Sequence, residues 1–231
     1  MINKVELIDC MEYMKDVPDN AFELAIVDPP YSVGASDGMF GARKTGKHSS
    51  QFSGLKKYAN HNTPPSKNYF IELFRISKNQ IIWGANYYPM YLYHSGWIVW
   101  DKLTTGPLSD CELAFQSFNK LVTKYTSGWS GFVKHDEGDH SKVRIHPNQK
   151  PVSLYKWLLT TYAKQGDKIL DTHIGSGSIR IACHDMGFDL QGCELDPDYY
   201  AAQEDRYQNH IAQKSLFNND EIQDLIYKGK E

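Results

Sequence analysis

Short apolar runs that stop on an acid or a tight turn constrain this chain most. After Glu23, the run Leu24 to Val27 is unbroken and halts at Asp28-Pro29-Pro30-Tyr31. A strand without polar–apolar alternation has to be covered on both faces, as in a parallel sheet flanked by helices. Two prolines cannot continue a hydrogen-bonded ladder, so this strand must end at Asp28. The same pattern recurs in Gln80 to Trp83 before Gly84, Trp97 to Trp100 before Asp101-Lys102, Lys168 to Leu170 before Asp171, and Leu190 to Cys193 before Glu194. Lys4 to Ile8 reads as a strand ending at Asp9.

Helical segments fall between these runs. They are expected at 11–17, 66–76 with Ser66 as a cap, 87–93, 151–163, 179–186, 197–212 and 221–227. The clearest is 151–163, where Val152, Leu154, Tyr155, Leu158, Leu159 and Tyr162 recur at helical spacing. Glu112 to Phe118 reads as an antiparallel partner. Strands alternating with helices predict an α/β fold with a mostly parallel, doubly wound sheet and one antiparallel strand. The 231 residues suit a single domain spanning 1–231.

The totals narrow the function classes. No apolar run reaches the roughly 18 residues of a membrane span, and the N-terminus lacks the apolar core of a signal peptide. The expectation is a soluble, cytoplasmic protein with no membrane partner. Cys10, Cys111, Cys183 and Cys193 form no C-x-x-C pair and are read as small buried hydrophobes of a reducing compartment. The net charge of −3 argues neither for nor against nucleic acid, but its distribution is uneven. Arg43, Lys44, Lys47, Lys56, Lys57 and Lys67 stand against a single acid, Asp37, between residues 36 and 67. The stretch 32–66 is too long for a passive connection and is expected to be a basic, mobile loop that closes over phosphates.

Two constellations carry chemistry. In Asp171-Thr-His-Ile-Gly175-Ser176-Gly177-Ser178 a strand ends in an acid and a glycine turn opens a helix. Ligands of doubly wound sheets bind beyond the carboxyl ends of the strands, and glycines admit them closely. A dinucleotide fingerprint would need a glycine where Arg180 stands, which argues against a nicotinamide or flavin cofactor. An acid before the turn suits a cationic ligand better than a pyrophosphate, and Glu194 at the next strand end is placed to accept from ribose hydroxyls. S-adenosylmethionine combines such a ribose with an ammonium and a sulfonium.

The second constellation is Asp28-Pro29-Pro30-Tyr31. The exocyclic amine of a base is a poor nucleophile, because its lone pair is delocalised into the ring. Two acceptors on its N–H bonds, the Asp28 carboxylate and the Pro29 carbonyl, would favour rehybridisation and stabilise the charge that develops on nitrogen. Pro30 carries the chain past them, and Tyr31 can stack on a base taken out of the duplex.

These segments resemble the amino-methylating DNA methyltransferases. Asp28-Pro29-Pro30-Tyr31 is similar to their catalytic DPPY motif, 171–178 to their glycine-rich cofactor motif, and His146-Pro147-Asn148-Gln149-Lys150-Pro151 to their H-P-x-x-K-P segment. The motif order resembles the circularly permuted beta class. The resemblance implies a Rossmann-like methyltransferase fold, S-adenosyl-L-methionine as cofactor, and DNA as partner with adenine N6 as the target, since aspartate at the first catalytic position favours adenine over cytosine. It implies catalytic roles for Asp28, Pro29, Pro30 and Tyr31, and a cofactor site lined by Asp9, Asp28, Lys150, Asp171, Gly175, Ser176, Gly177, Ser178 and Glu194. Asp9 would lie near the adenine of the cofactor and Lys150 near its methionine carboxylate. Thr172-His173 departs from the Pro-Phe usual in the family. The permuted class is compatible with a homodimer.

Target recognition is expected within 101–147. Lys120, Lys124, Lys134, Lys142 and Arg144 are candidates for phosphate or base contacts there, and Trp129 for a stacking wedge. No metal is expected, although His135, Asp136, Glu137, Asp139 and His140 cluster in sequence. Cytosine N4, RNA, a dinucleotide oxidoreductase and a non-catalytic nucleic-acid-binding relative are the alternatives.

Overall fold

The computed structural model describes residues 1–31, 64–93, 96–104, 109–118, 121–129 and 145–217. Among these, eight strands form one sheet: β1 Asn3–Leu7, β2 Phe22–Val27, β3 Ser77–Trp83, β4 Trp97–Asp101, β5 Cys111–Gln116, β6 Thr123–Thr126, β7 Lys168–Asp171 and β8 Asp189–Glu194. Their order across the sheet is β1-β8-β7-β2-β3-β5-β4-β6. β5 runs antiparallel to β3 and β4, and every other pairing is parallel. The helices are α1 Cys10–Lys15, α2 Lys67–Ile76, α3 Val152–Tyr162, α4 Ser178–Met186 and α5 Pro197–Phe217. This is the α/β, Rossmann-like architecture expected from the sequence.

The unbroken apolar run of β2 is explained by its two neighbours in depth. Leu24 and Ile26 pack in one core with Leu154, Leu158 and Leu159 of α3 and Ile179 and Ala182 of α4. Ala25 and Val27 pack in a second core with Met14 of α1 and Phe70 and Leu73 of α2. Side chains alternate along a strand, so residues 24, 26 and 28 share a face. Asp28 therefore leaves the sheet on the α3 side.

Local signals and tertiary context divide the rest. The Asp9 carboxylate caps α1, accepting from the N–H groups of Met11 at 2.8 Å and Glu12 at 3.4 Å, an arrangement worth about 1 kcal/mol. Ser66 occupies the cap of α2 without a side-chain bond to the helix. In place of a helix over 87–93 there is a 3-10 turn, Ala85–Tyr87. Gly84 opens it in the left-handed region, and Pro89 disfavours helical continuation at Tyr88. β6 lies in a stretch that reads as irregular. Its four residues gain strand structure by pairing with β4, Ile98 to Asp101 against Thr123 to Thr126. The stretch 101–147 thus supplies β5 and β6 to the sheet.

Trp129 is not an outward wedge. It is buried in the α3-side core and donates Nε1–H to the Gln149 carbonyl at 3.0 Å. Cys183 and Cys193 are buried, whereas Cys10 and Cys111 are half-buried. Among the described residues no helix is long and apolar enough to cross a membrane. The loop 32–66 up to residue 63, the sequence cluster at 135–140, Lys120, Lys134, Lys142, Arg144 and the helix expected at 221–227 lie outside the described residues.

Candidate active site

One acid terminates each of four adjacent parallel strands. Across β1, β8, β7 and β2 these are Asp9, Glu194, Asp171 and Asp28. The strand order therefore brings the two sequence constellations side by side, because β7 and β2 are paired directly through Leu24–Ile169 and Ala25–Leu170.

The glycine turn follows β7. Gly175 and Gly177 have φ of +53° and +70°, a region that L side chains rarely adopt. The Glu194 carboxylate grips this turn, accepting from the Gly175 N–H at 2.8 Å, from Leu195 N–H at 3.0 Å and from Asp196 N–H at 2.9 Å. A carboxylate offers about four acceptor positions, so about one is left for a ligand hydroxyl. Gly192 of β8 is required for a different reason. A Cβ there would lie 2.3 Å from the Asp171 carbonyl oxygen.

Ser176 and Ser178 are buried and bonded to each other at 3.2 Å, and Arg206 donates to the Ser176 carbonyl at 2.7 Å and to Ser178 Oγ at 3.0 Å. Arg180 has a structural reason for standing where a dinucleotide site has glycine. It is buried over the Tyr207 ring and donates to Asn3 Oδ1 at 2.7 Å, Gln203 Oε1 at 2.9 Å and Glu204, tying α4 to β1 and α5.

Asp171 is buried and accepts from the His173 N–H at 2.9 Å. Burial, with some repulsion from Asp28 and Glu194, pushes its carboxyl up to about 8. Burial also pulls His173 down to about 4, so its ring is neutral near pH 7. The ring bonds through Nδ1 to Thr172 Oγ1 at 2.9 Å, and that oxygen bonds in turn to the Tyr69 hydroxyl of α2 at 2.7 Å. Thr172-His173 thus replaces an apolar pair with a short polar chain.

The turn after β2 is held by the segment after β3. Buried Tyr88 donates its hydroxyl to the Pro30 carbonyl at 2.6 Å, with a longer contact of 3.3 Å to the Pro29 carbonyl. The Tyr31 ring stacks on Tyr87 with centroids 4.6 Å apart and planes 11° apart. It also lies so close to Gly84 that a Cβ there would sit 2.5 Å from two ring carbons.

The Asp28 carboxylate is shared unequally. Lys150 Nζ lies 2.6 Å from Oδ2 and also 3.1 Å from Glu112 Oε2. Lys102 Nζ lies 2.8 Å from Glu112 Oε1. Two tryptophans underlie these cations, Lys150 at 5.3 Å from the Trp83 ring and Lys102 at 5.6 Å from the Trp100 ring. Asp28 Oδ1, by contrast, is buried and has no hydrogen-bond partner among the described residues. A buried acceptor left unmade costs about 1–3 kcal/mol. Burial raises the Asp28 carboxyl above its usual range, with Lys150 and then Lys102 opposing the rise. Two lysines draw Glu112 down to about 2, and its two carboxylate neighbours hold Lys150 protonated.

The structure therefore gathers Asp9, Asp28, Pro29, Pro30, Tyr31, Lys150, Asp171, the 175–178 turn and Glu194 along one end of the sheet. The sequence reading missed Glu112, Lys102, Tyr88, Gly84 and Gly192. The only signal for Glu112 was an acid opening an otherwise apolar strand. Of the proposed DNA-contacting cations, the described one is Lys124, which is exposed and lies 3.4 Å from Asp101.

Residues 109–205 match the family model N6_N4_Mtase, described as DNA methylase. The Type II methyltransferase M.HpaI of Haemophilus parainfluenzae is 23% identical over 238 residues, covering 86% of this chain and 72% of that protein. The M1.HpyAVI–SAM complex superposes with a TM-score of 0.55 at 20% identity, covering 89% of this chain and all of that one, 100%. The PvuII DNA methyltransferase, named as cytosine-N4-specific, superposes with a TM-score of 0.59 at 12% identity, covering 90% and 86%. The solved structures share the α/β fold, and the family model and the Haemophilus protein to which this chain is similar are named as methylases.

Proposed function

We propose that this chain transfers the methyl group of S-adenosylmethionine to the N6 amine of adenine in DNA, acting on a base turned out of the duplex. The observation that carries the reading is Asp28 Oδ1, a buried acceptor without a described partner, at the strand end next to the glycine turn. An amine donating to it would satisfy the stranded oxygen and bring nitrogen to the border between the two constellations.

The residues around the turn fit this cofactor. Asp171 and Glu194 end neighbouring strands, so one buried acid can face a cation and the other a ribose hydroxyl. Lys150 has three N–H donors and two carboxylate neighbours, which leaves one donor for a carboxylate of the ligand. Bound there, the cofactor supplies a methyl group activated by a positively charged sulfur.

The chain's own contribution is positioning and electrostatics. Asp28 Oδ1 and the Pro29 carbonyl accept from the two N–H bonds of the amine, and their hold tightens as positive charge grows on nitrogen. Tyr31 offers a ring face for the base. Confining methyl and amine to one geometry removes the entropy of their encounter. The amine proton released after transfer is accepted at Asp28 Oδ1, whose basicity is maintained by burial.

A second reading, N4 of cytosine, is favoured by the likeness to a protein named as specific for that atom. Incubation with labelled cofactor and oligonucleotides carrying adenine or cytosine as the candidate target separates the two. N6-methyladenine is expected, and label confined to 4-methylcytosine or to RNA would overturn the choice. Asp28→Ala should lose on the order of 10²–10³-fold in rate while still binding the cofactor. Turnover that survived this change would remove Asp28 from the reaction.

A further inference from the structure

Four charged side chains form a continuous, partly buried row: Asp28, Lys150, Glu112 and Lys102, with successive N···O separations of 2.6, 3.1 and 2.8 Å. They come from four separate segments. Asp28 follows β2, Glu112 belongs to β5, Lys102 follows β4, and Lys150 lies in the segment before α3. Taking charges out of water is costly, and such a row persists only with close pairing. The side chains of Asp28, Glu112 and Lys102 are 14%, 24% and 14% exposed, and that of Lys150 is 3% exposed.

The row is asymmetric in a way that matters for chemistry. Paired with Asp28 alone, the Lys150 ammonium would neutralise the carboxylate and weaken it as an acceptor. Glu112 competes for the same ammonium, and Lys102 in turn competes for Glu112. The effect is to hold Asp28 Oδ2 in place while limiting how much of its charge is cancelled. Resting on the methyl-transfer reading above, we infer that Glu112 is a positioning residue for Asp28: it holds Lys150 between two carboxylates, fixing Oδ2 and leaving Oδ1 as the acceptor for the target amine, with Lys102 setting the balance.

Other groups surround Asp28. Tyr31 and Tyr88 flank it from the catalytic turn and the segment after β3, Asp171 faces it from β7, and Tyr155 of α3 lies within the same electrostatic field. Burial keeps the three tyrosines uncharged near neutral pH, and Asp171 is common to every variant below.

The test is the titration of the Asp28 carboxyl, followed by carbon-13 NMR of the full chain and assigned by its loss in Asp28→Asn. Glu112→Gln removes the repulsion and gives Lys150 wholly to Asp28, so the midpoint should fall by about one pH unit. Lys102→Met frees Glu112 to take more of Lys150, so the midpoint should rise. Because Lys102 acts through Glu112, the double variant should stay close to Glu112→Gln. The acid limb of the kcat–pH profile should move in the same directions. In Glu112→Gln, kcat should fall by as much as ~100-fold through misplacement of the carboxylate, with the KM of both substrates nearly unchanged and Glu112→Asp recovering part of the loss.

Folded single variants whose midpoints stay put, or move in the same direction, would overturn the inference. Should Glu112→Gln fail to fold, the direction of the Lys102→Met shift decides alone. The NMR midpoints do not depend on turnover. Absence of DNA methylation in the parent protein would therefore reject the methyl-transfer reading separately from this coupling.

Discussion

The Tyr88 hydroxyl donates to the Pro30 carbonyl at 2.6 Å. This bond ties the turn after β2 to the segment after β3, two loops that share no sequence neighbourhood. Proline has no N–H with which to anchor such a turn, so its conformation depends on what its carbonyls accept. Tyr88 is itself packed between the α2 helix and the sheet, in contact with Phe70, and so presents its hydroxyl from a rigid site.

Tyr88→Phe deletes the donor and keeps the ring. A partly buried carbonyl then loses its partner, and unfolding free energy should drop by about 1 kcal/mol. Because the turn carries Asp28 and Tyr31, kcat should fall more than cofactor affinity. Thermal unfolding and steady-state methylation kinetics on the same preparation check both effects. A variant with normal kcat would show that the turn holds its shape without Tyr88.

Gly84 makes a sharper case, because two constraints meet there. Its φ is +65°, and a Cβ would lie 2.5 Å from the Tyr31 ring. Gly84→Ala should therefore cost about 1–2 kcal/mol from the backbone alone. It should also push Tyr31 from its place beside Tyr87. The expected signature is a loss of turnover on a base in duplex DNA with cofactor binding intact, read by kinetics and by calorimetry. Unchanged turnover would mean that the position of Tyr31 is immaterial.

The third expectation concerns Asp171, whose carboxyl burial lifts to about 8. A cationic ligand stabilises the charged form, so binding near pH 7 should expel about one proton. Affinity for S-adenosylmethionine should rise with pH up to about 8 and then level off. In the unliganded protein the sign is reversed. The folded state binds the proton more tightly than the unfolded chain, so this group's contribution to stability is complete below its ordinary value of 3.8 and is lost as pH rises through about 8. Calorimetry in two buffers of different ionisation enthalpy measures the proton released. No dependence on the buffer at pH 7 would rule out Asp171 as the cation's partner.

How much of this was legible beforehand depends on whether a signal is local. β2, β7 and β8 were readable because an apolar run ending at Asp28, Asp171 or Glu194 states its own burial and its own stop. Asp9, read as a strand end and a cofactor neighbour, also caps α1 in the structure. The segment 87–93 was misjudged because its aromatic content looks helical, while Gly84 and Pro89 together forbid more than one turn. β6 was missed because Thr123 to Thr126 draws its strand structure from pairing with β4. Trp129 was a candidate for stacking or for local packing within a polar stretch, and its indole reaches the Gln149 carbonyl inside the core.

By itself the amino-acid order determined the α/β class, the ends of the strands and the identity of the acids placed there, since hydrophobic burial on both faces and the geometry of proline and glycine act over a few residues. Only the tertiary structure decided which acids became neighbours and which charges met. β5 runs against β3 and β4, so its first residues arrive where theirs end, and period-two alternation turns Glu112 and Lys102 onto the same side as Asp28. That row of charges spans positions 28, 102, 112 and 150. No local rule couples residues so far apart, and their contact exists only because strand order and register bring them to one edge of the sheet.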